Sequence, residues 1–349
     1  METDAVKLSV VVPCYNEEAV LDGLVEALKD HLPAITDDFE VILVDDGSRD
    51  DTLAILRRTA VSDPRFRYLA LSRNFGKESA MLAGLSQTRG EAVVIMDADL
   101  QHPPQLIAEM LTFLDKGYDQ VVARRNRTGD ALFRTLVSRA YYLVINRLID
   151  VRLEDGVGDF RVLSRTAVRA VLALGECNRF SKGLFSWIGF NTTTVDYDNV
   201  AREAGESKWR LRDLVDYGID SVVSFNSKPL RLAIHVGALA AFVAFLYAAW
   251  VVTDALVQGN AVPGYVTTIC AVVGFGGLQM ILLGVTGEYL GRIYVESKGR
   301  PHFLLKESSE GAATPVTVPL GARYEQFAQL SPTLRTDTER EAADLELTH

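Results

Sequence analysis

Cysteine is too scarce in this sequence to organise the fold. Cys14, Cys177 and Cys270 are the only three in 349 residues. They are odd in number and have no CxxC spacing, which excludes a disulfide framework or a thiolate zinc site and fits a reducing compartment. Surplus positive charge is also missing. The formal net charge of −10 argues against a generic nucleic-acid binder, which needs basic surface to displace counterions from phosphates. The N-terminus, with Glu2 and Asp4 ahead of a β-like run, lacks the basic start and apolar stretch of a signal peptide. No GxGxxG follows the first expected strand, where a nicotinamide dinucleotide would need it.

Charge is unevenly placed within that acidic total. Arg124, Arg125, Arg127, Arg134, Arg139 and Arg147 stand against Asp130 alone, whereas the tail from Lys306 holds eight acids and four bases. A basic stretch of this kind suits lipid headgroups or a phosphate substrate. Mean hydropathy is slightly positive at +0.10, and the apolar excess lies in the C-terminal third.

Short β-branched runs at Leu8–Pro13, Phe39–Asp45, Phe66–Leu71, Ala92–Asp97 and Gln120–Ala123 alternate with helical patterns at Ala19–Leu32, Asp51–Ser62, Lys77–Thr88 and Pro103–Lys116. That order predicts an α/β domain with a mainly parallel, Rossmann-like sheet covered by helices on both faces. In such sheets ligands bind beyond the carboxyl ends of the strands. Tyr15-Asn16-Glu17, Asp45-Asp46-Gly47-Ser48 and Asp97-Ala98-Asp99 follow the first, second and fourth runs.

Leu132–Ile149 and Leu211–Phe225 are amphipathic and suit a membrane surface or an ordinary protein surface equally. Leu232–Thr253 is an apolar run of 22 residues broken only by His235 near its start, and Tyr265–Thr286 is a second of similar length. A 22-residue helix is about 33 Å long, enough for a hydrocarbon core of about 30 Å. Asp254–Gly264 between them has no Lys or Arg, whereas Lys228, Arg231, Arg292, Lys298 and Arg300 flank the outer ends. The positive-inside rule then predicts a hairpin with both chain ends in the cytoplasm. Gly277, Gly284, Gly287 and Gly291 recur at helical spacing in and after the second run, fit for packing on the first helix or for self-association. The expected organisation is a catalytic domain over 1–210, a juxtamembrane helix over 211–230, two transmembrane helices within 231–300, and a disordered acidic tail over 301–349.

Two carboxylates around one small residue at a strand end, as in Asp97-Ala98-Asp99, can place oxygens on Mg²⁺ or Mn²⁺ that also holds substrate phosphates. Taken alone the triplet is weak, because acid pairs at strand ends are common loop chemistry. Asp45-Asp46-Gly47-Ser48 can bring carboxylates and backbone N–H groups to a nucleoside, or act only as a turn and helix cap. Three polar clusters on three strand ends carry more weight together.

The ordered motifs Val12-Pro13-Cys14-Tyr15-Asn16-Glu17-Glu18, Val44-Asp45-Asp46-Gly47-Ser48, Arg73-Asn74-Phe75-Gly76-Lys77 and Asp97-Ala98-Asp99-Leu100-Gln101-His102-Pro103-Pro104 resemble the family-two inverting glycosyltransferases of GT-A fold. Gly158-Asp159-Phe160-Arg161 and Arg202-Glu203-Ala204-Gly205-Glu206-Ser207-Lys208-Trp209 narrow the resemblance to the dolichol-phosphate-mannose-synthase-like branch. The two C-terminal runs resemble its bacterial polyprenyl-phosphate (bactoprenol) glucosyltransferases.

The resemblance implies metal-dependent transfer of a sugar from a nucleoside-diphosphate donor, UDP-glucose or GDP-mannose, to polyprenyl phosphate at the cytoplasmic face of the inner membrane. It also implies a homo-oligomer, with a tetramer expected from the bacterial relatives. By the same resemblance Pro13, Tyr15, Glu17, Asp45, Asp46, Lys77, Asp97, Ala98, Asp99 and Gln101 bind the nucleotide sugar, and Asp97, Asp99 and Gln101 surround the metal. Arg125, Arg202 and Lys208 face the acceptor phosphate, and Asp159, Asp99 and Arg202 are catalytic. A phosphate monoester is already largely dianionic at neutral pH, so Asp159 is a base or an acceptor-orienting group, or else only the partner of an arginine such as Arg161. Lys77 and Arg73 could reach the donor phosphates or simply form surface pairs, and His102 is expected to be structural. The competing readings are a glycosyltransferase with a different acceptor and a non-catalytic membrane scaffold that binds a nucleotide sugar.

Overall fold

In the computed structural model the described residues are 6–125, 157–177, 179–197, 228–258 and 264–310. The two amphipathic stretches expected at 132–149 and 211–225, together with Arg202 and Lys208, lie outside them. The chain divides into two compact units, the first holding 1–140, 153–208 and 299–349 and the second 141–152 and 209–298.

The first unit is built on an eight-stranded sheet. Its strands are β1 (Leu8–Cys14), β2 (Phe39–Asp45), β3 (Phe66–Leu71), β4 (Ala92–Ile95), β5 (Gln120–Arg125), β6 (Val157–Ser164), β7 (Thr192–Tyr197) and β8 (Leu305–Ser308), in the order β7-β5-β6-β4-β1-β2-β3-β8. The pairs β1–β2, β1–β4, β2–β3 and β5–β7 are parallel, while β6 is antiparallel to β4 and β5, and β8 to β3. The chain runs outward from β1 to β2 and β3 and then crosses to β4 on the other side. That reversal creates the crevice in which α/β sheets bind ligands.

Helices α1 (Leu21–His31), α2 (Thr52–Ser62), α3 (Lys77–Ser86), α4 (Leu106–Asp115), α5 (Arg165–Ala173) and α6 (Ser181–Trp187) belong to this unit. Strand alternation sorts them. Val10, Val12, Val41, Leu43, Val94 and Met96 pack with Leu24, Leu28, Leu56, Ile107 and Met110 of α1, α2 and α4. Their neighbours Val11, Ile42, Val44, Val93 and Ile95 pack instead with α3 and α5. Both faces of β1 and β2 are therefore dry, which is why these strands read as continuous apolar runs. At Gly84 an added Cβ would stand 2.3 Å from Val11 Cγ1 and 3.1 Å from Val44 Cγ2, so glycine here lets α3 lie close on the sheet.

Strands β6 and β7 are not among the five runs expected from the sequence, and two further features differ from expectation. The fourth strand ends at Ile95 rather than Asp97, although the Met96 N–H still donates to Val11 O at 3.1 Å, and Asp97–Asp99 are thereby released into a turn. The disordered tail expected from 301 does not begin there, because β8 adds to the edge of β3. Phe303 is buried among Leu69, Leu71, Ala80, Leu82 and Ala83. Arg57 forks onto both oxygens of Glu307 at 2.7 and 2.8 Å, and Glu310 meets Arg67 at 2.9 Å and Arg89 at 2.5 Å. Periodicity misses a strand of four residues whose stability comes from its neighbour's unpaired edge.

In the second unit α7 (Lys228–Gln258) and α8 (Tyr265–Ser297) are 31 and 33 residues long and pack on each other, with the Cβ position of Gly237 3.6 Å from Leu282 Cδ1. Ile234, Leu239, Phe242, Phe245 and Trp250 of α7 and Val272, Met280 and Ile281 of α8 are exposed. Among the described residues no helix is long and apolar enough to cross a membrane. Some side chains of both helices lie outside that set. Among the described residues nothing lies within 4 Å of the Cβ positions of Gly277, Gly284, Gly287 and Gly291.

Candidate active site

The first wall is made by the turns after β1 and β2, which are knitted together by side chain to backbone hydrogen bonds. The Asn16 N–H donates to Ser48 Oγ at 3.0 Å, the Arg49 N–H to Asn16 Oδ1 at 2.9 Å, and the Glu17 N–H to Thr52 Oγ1 at 2.9 Å. Asn16 holds φ 54°, in the left-handed region that asparagine tolerates better than most residues. Asp45 is buried and its Oδ1 accepts the Ser48 N–H at 3.0 Å. Tyr15 is exposed beside the half-buried Pro13 and Glu17. Cys14 is buried below them, and burial together with Glu17, Asp45 and Asp97 pushes its thiol well up, so it is inert packing.

Asp46 is buried, and both of its oxygens are engaged, accepting the N–H of Phe75 at 2.7 Å and of Gly76 at 2.9 Å. Burial raises its pKa, and these two hydrogen bonds oppose the rise. Gly47, at φ +70°, brings its Cβ position within 2.5 Å of the Arg73 carbonyl carbon. The 45–48 turn and the 73–76 loop are thus clamped backbone to backbone, and Gly76, at φ +95°, turns the chain into α3. Lys77 is the first residue of that helix.

The opposite wall is the turn after β4. The Asp97 N–H donates to His102 Nδ1 at 3.0 Å, and His102 stacks on Phe160 of β6 with ring centroids 4.9 Å apart. Burial lowers the His102 pKa against the pull of Asp97 and Asp99, so the ring is a neutral support, as the sequence reading expected. The Gln101 N–H donates to Asp99 Oδ1 at 3.2 Å, and Leu100 takes φ 58°. A left-handed leucine is a strained choice of the kind that clusters at functional turns.

These walls meet at one ion triad. Lys77 Nζ lies 2.6 Å from Asp97 Oδ1 and 2.5 Å from Asp159 Oδ2. Burial works against charge on Lys77, but the two carboxylates outweigh it and its pKa stands above the ordinary lysine range. Burial pushes Asp159 up, but Lys77 and Lys182 outweigh it and hold the carboxyl below the ordinary range. Asp159 is therefore a carboxylate at neutral pH, and Lys77 is its hydrogen-bonded partner. Arg161 instead donates to Gly158 O at 3.0 Å and lies over the Phe185 ring at 3.8 Å, with burial lowering its pKa to about 10.

Sequence reasoning missed the layer behind the triad. Glu78 accepts hydrogen bonds from the N–H and hydroxyl of Ser181 at the start of α6. Burial lowers the pKa of Lys182, and Asp159, Arg161, Lys77 and Asp97 all act on it electrostatically. No motif marked these residues, since their roles come from α6 being brought against α3 and β6. At the far side Arg124 is bound bidentately by Asp196 at 2.6 and 2.9 Å, and Arg125 acts electrostatically on Tyr197, as do Asp99 and Asp97.

Among the described residues no group of three or more His, Cys, Asp or Glu could hold a metal by itself. Asp97 and Asp99 offer hard oxygen donors, and a cation, the Lys77 ammonium, already sits against Asp97. That donor set suits Mg²⁺ or Mn²⁺, which take one or two carboxylates and complete their shell with substrate phosphates and water.

The chain matches glycosyl transferase family 2 over residues 9–172 and the GtrB C-terminal hairpin over residues 228–293. It is 49% identical over 302 residues to CsbB of Bacillus subtilis (strain 168), covering 86% of this chain and 92% of that protein. It is 38% identical over 306 residues to the SfII prophage-derived bactoprenol glucosyl transferase of Shigella flexneri, covering 87% and 99%. A solved mannosyltransferase of Pyrobaculum calidifontis, in complex with GDP-Man and Mn²⁺, aligns at 20% identity and TM-score 0.45 over 81% of this chain and 87% of that one. With carboxylates at the end of β2 and in the turn after β4, and with relatives aligned across both the sheet and the hairpin, the chain belongs to glycosyl transferase family 2, is a glycosyltransferase, and carries the GtrB-type C-terminal hairpin.

Proposed function

We propose that this enzyme transfers a sugar from a nucleoside-diphosphate donor to a polyprenyl phosphate, with inversion and with a divalent metal. UDP-glucose is the favoured donor and GDP-mannose the alternative. The observation that carries the reading is the convergence of Asp97 after β4, Asp159 near the start of the antiparallel β6 and Lys77 at the start of α3. Likeness to a bactoprenol glucosyl transferase across almost the whole length of that protein supports the acceptor.

In this reading Pro13, Tyr15, Glu17 and Asp45 border the nucleoside, while Asp46 acts through the 73–76 loop that it holds. Asp97 and Asp99, with Gln101 beside them, would hold the metal, which would neutralise charge on the donor diphosphate and favour its departure. Two phosphate groups then face each other across one cleft, and Arg125, Arg202 and Lys208 lower that repulsion from the acceptor side. An oxygen of the acceptor phosphate attacks the anomeric carbon, the bond from that carbon to the diphosphate oxygen breaks, and nucleoside diphosphate leaves. No proton has to be removed from a dianionic phosphate. Asp159, an ionised carboxylate bound to Lys77, therefore orients cations rather than serving as a required base.

The acceptor reading places α7 and α8 in the membrane, with the catalytic unit and both termini at its cytoplasmic face. Helices of 31 and 33 residues are about 46 and 50 Å long. Their exposed Phe242, Phe245, Trp250, Met280 and Ile281 form the kind of surface that lipid covers. Self-association through the hairpin, up to a tetramer, belongs to the same reading.

The test is transfer of radiolabelled sugar from a panel of UDP- and GDP-sugars to undecaprenyl phosphate in vesicles, with Mg²⁺, Mn²⁺ or EDTA. One donor should label the lipid and EDTA should abolish it, and Asp99→Ala should remove transfer while the protein keeps its circular dichroism. Folded protein that labels another acceptor but no polyprenyl phosphate would overturn the acceptor assignment. Full activity of Asp99→Ala would overturn the metal role.

A further inference from the structure

We propose that Lys77 is an exchangeable counter-ion, bound to Asp97 and Asp159 before the donor arrives and transferred to the donor diphosphate afterwards, so that nucleotide arrival opens Asp97 to the metal. The inference rests on the reading above that Asp97 helps to hold a divalent cation.

The geometry that carries it is the position of one ammonium against two carboxylates, Asp97 in the turn after β4 and Asp159 in β6, at 2.6 and 2.5 Å. A divalent cation held by either oxygen of Asp97 would stand within a few ångströms of the ammonium that Lys77 already places there. Two cations on one carboxylate a few ångströms apart repel by several kcal/mol even at an intermediate dielectric. Metal and ammonium therefore compete for Asp97 unless the ammonium has somewhere else to go.

The structure gives Lys77 that freedom while fixing its base. Asp46 holds the N–H groups of Phe75 and Gly76, and the α3 residues that follow lie in the core. The lysine side chain is nevertheless 44% exposed at the mouth of the crevice. A compact charge on a four-carbon stem can swing several ångströms from a fixed Cα. A diphosphate bound beside Asp97 offers it a denser negative charge than one carboxylate. The lysine would then stabilise the departing diphosphate after having guarded the metal position, and Asp159 acts as the anchor that returns it.

Mn²⁺ binding to the full-length protein in detergent, followed by electron paramagnetic resonance of free Mn²⁺ with and without UDP or GDP, tests the exchange. Lys77→Met should bind Mn²⁺ alone about tenfold more tightly than the wild type. The factor by which nucleotide tightens Mn²⁺ binding should fall by the same amount, because with nucleotide bound the ammonium has already left Asp97 and its removal no longer changes the Mn²⁺ affinity. Lys77→Gln should behave likewise, and thermal melting identifies either variant that fails to fold. A folded Lys77→Met or Lys77→Gln protein that binds Mn²⁺ alone no more tightly than wild type overturns the exchange while leaving the metal-dependent reading intact. Absence of Mn²⁺ binding in wild type and variants, with nucleotide present, overturns that reading and the exchange together.

Discussion

Asp46 and Gly76, thirty residues apart in sequence, are joined by a 2.9 Å hydrogen bond from the Gly76 N–H to a buried carboxylate oxygen. The other oxygen takes the N–H of Phe75 at 2.7 Å. One side chain thereby fixes where α3 begins and hence where Lys77 is rooted. Asp46→Ala leaves two loop donors without their partner. The expected cost is about 1–3 kcal/mol of stability, together with a fall of about a hundredfold in kcat/KM from misplacing Lys77. Asp46→Asn, which keeps one acceptor oxygen, should fall between. Thermal melting and initial rates over a donor series check this, and an Asp46→Ala enzyme with wild-type kcat/KM would remove the loop-holding role.

Glu78 supplies a pH dependence. Burial raises its pKa against the opposing hydrogen bonds from Ser181, with Asp159 adding to the rise and Arg179 reducing it. A carboxyl whose folded pKa lies above its unfolded value holds its proton longer in the folded state. Its contribution to stability is then most favourable at low pH and declines as pH rises from the ordinary carboxylate range through the raised value. Glu78→Gln has no such proton to lose and keeps an acceptor for Ser181. The melting temperature of Glu78→Gln relative to wild type should therefore increase between about pH 4.5 and neutrality. A constant difference across that range would show that Glu78 does not titrate there.

The return strand should matter more through its apolar anchor than through its surface charges. Phe303 is 7% exposed and packed on α3 and β3, so Phe303→Ala should cost about 3–5 kcal/mol. Glu310 is 46% exposed, whereas Arg67 keeps its 2.6 Å pair with the buried Glu40. Glu310→Ala should then cost less than about 1 kcal/mol. Melting of both variants in the same detergent decides the order, and a reversed order would mean that the ion pairs rather than the core hold β8.

Most of the first sheet was legible in sequence because strands buried on both faces have to be apolar along their length. Tyr15–Glu17, Asp45–Ser48 and Asp97–Asp99 could be placed in advance for a related reason, since polar residues directly after such strands have no exit except the carboxyl edge. The strand β8 was not legible. Leu305–Ser308 carries no strong pattern of its own and gains its hydrogen bonds from the edge of β3, more than 230 residues earlier in the chain.

The sequence by itself determined the α/β class, the positions of the acidic turns and the helical hairpin, because each follows from local periodicity and from residue chemistry at strand ends. Only the tertiary structure decided which charges meet. Asp159 pairs with Lys77 rather than with the nearby Arg161, and Asp46 turns its carboxylate to a loop instead of to the crevice. Charge pairing depends on distances of a few ångströms between β2, α3, β4 and β6. Such distances are set by how glycines and valines let the layers close, as at Gly47 and Gly84, and no property of the individual motifs specifies them.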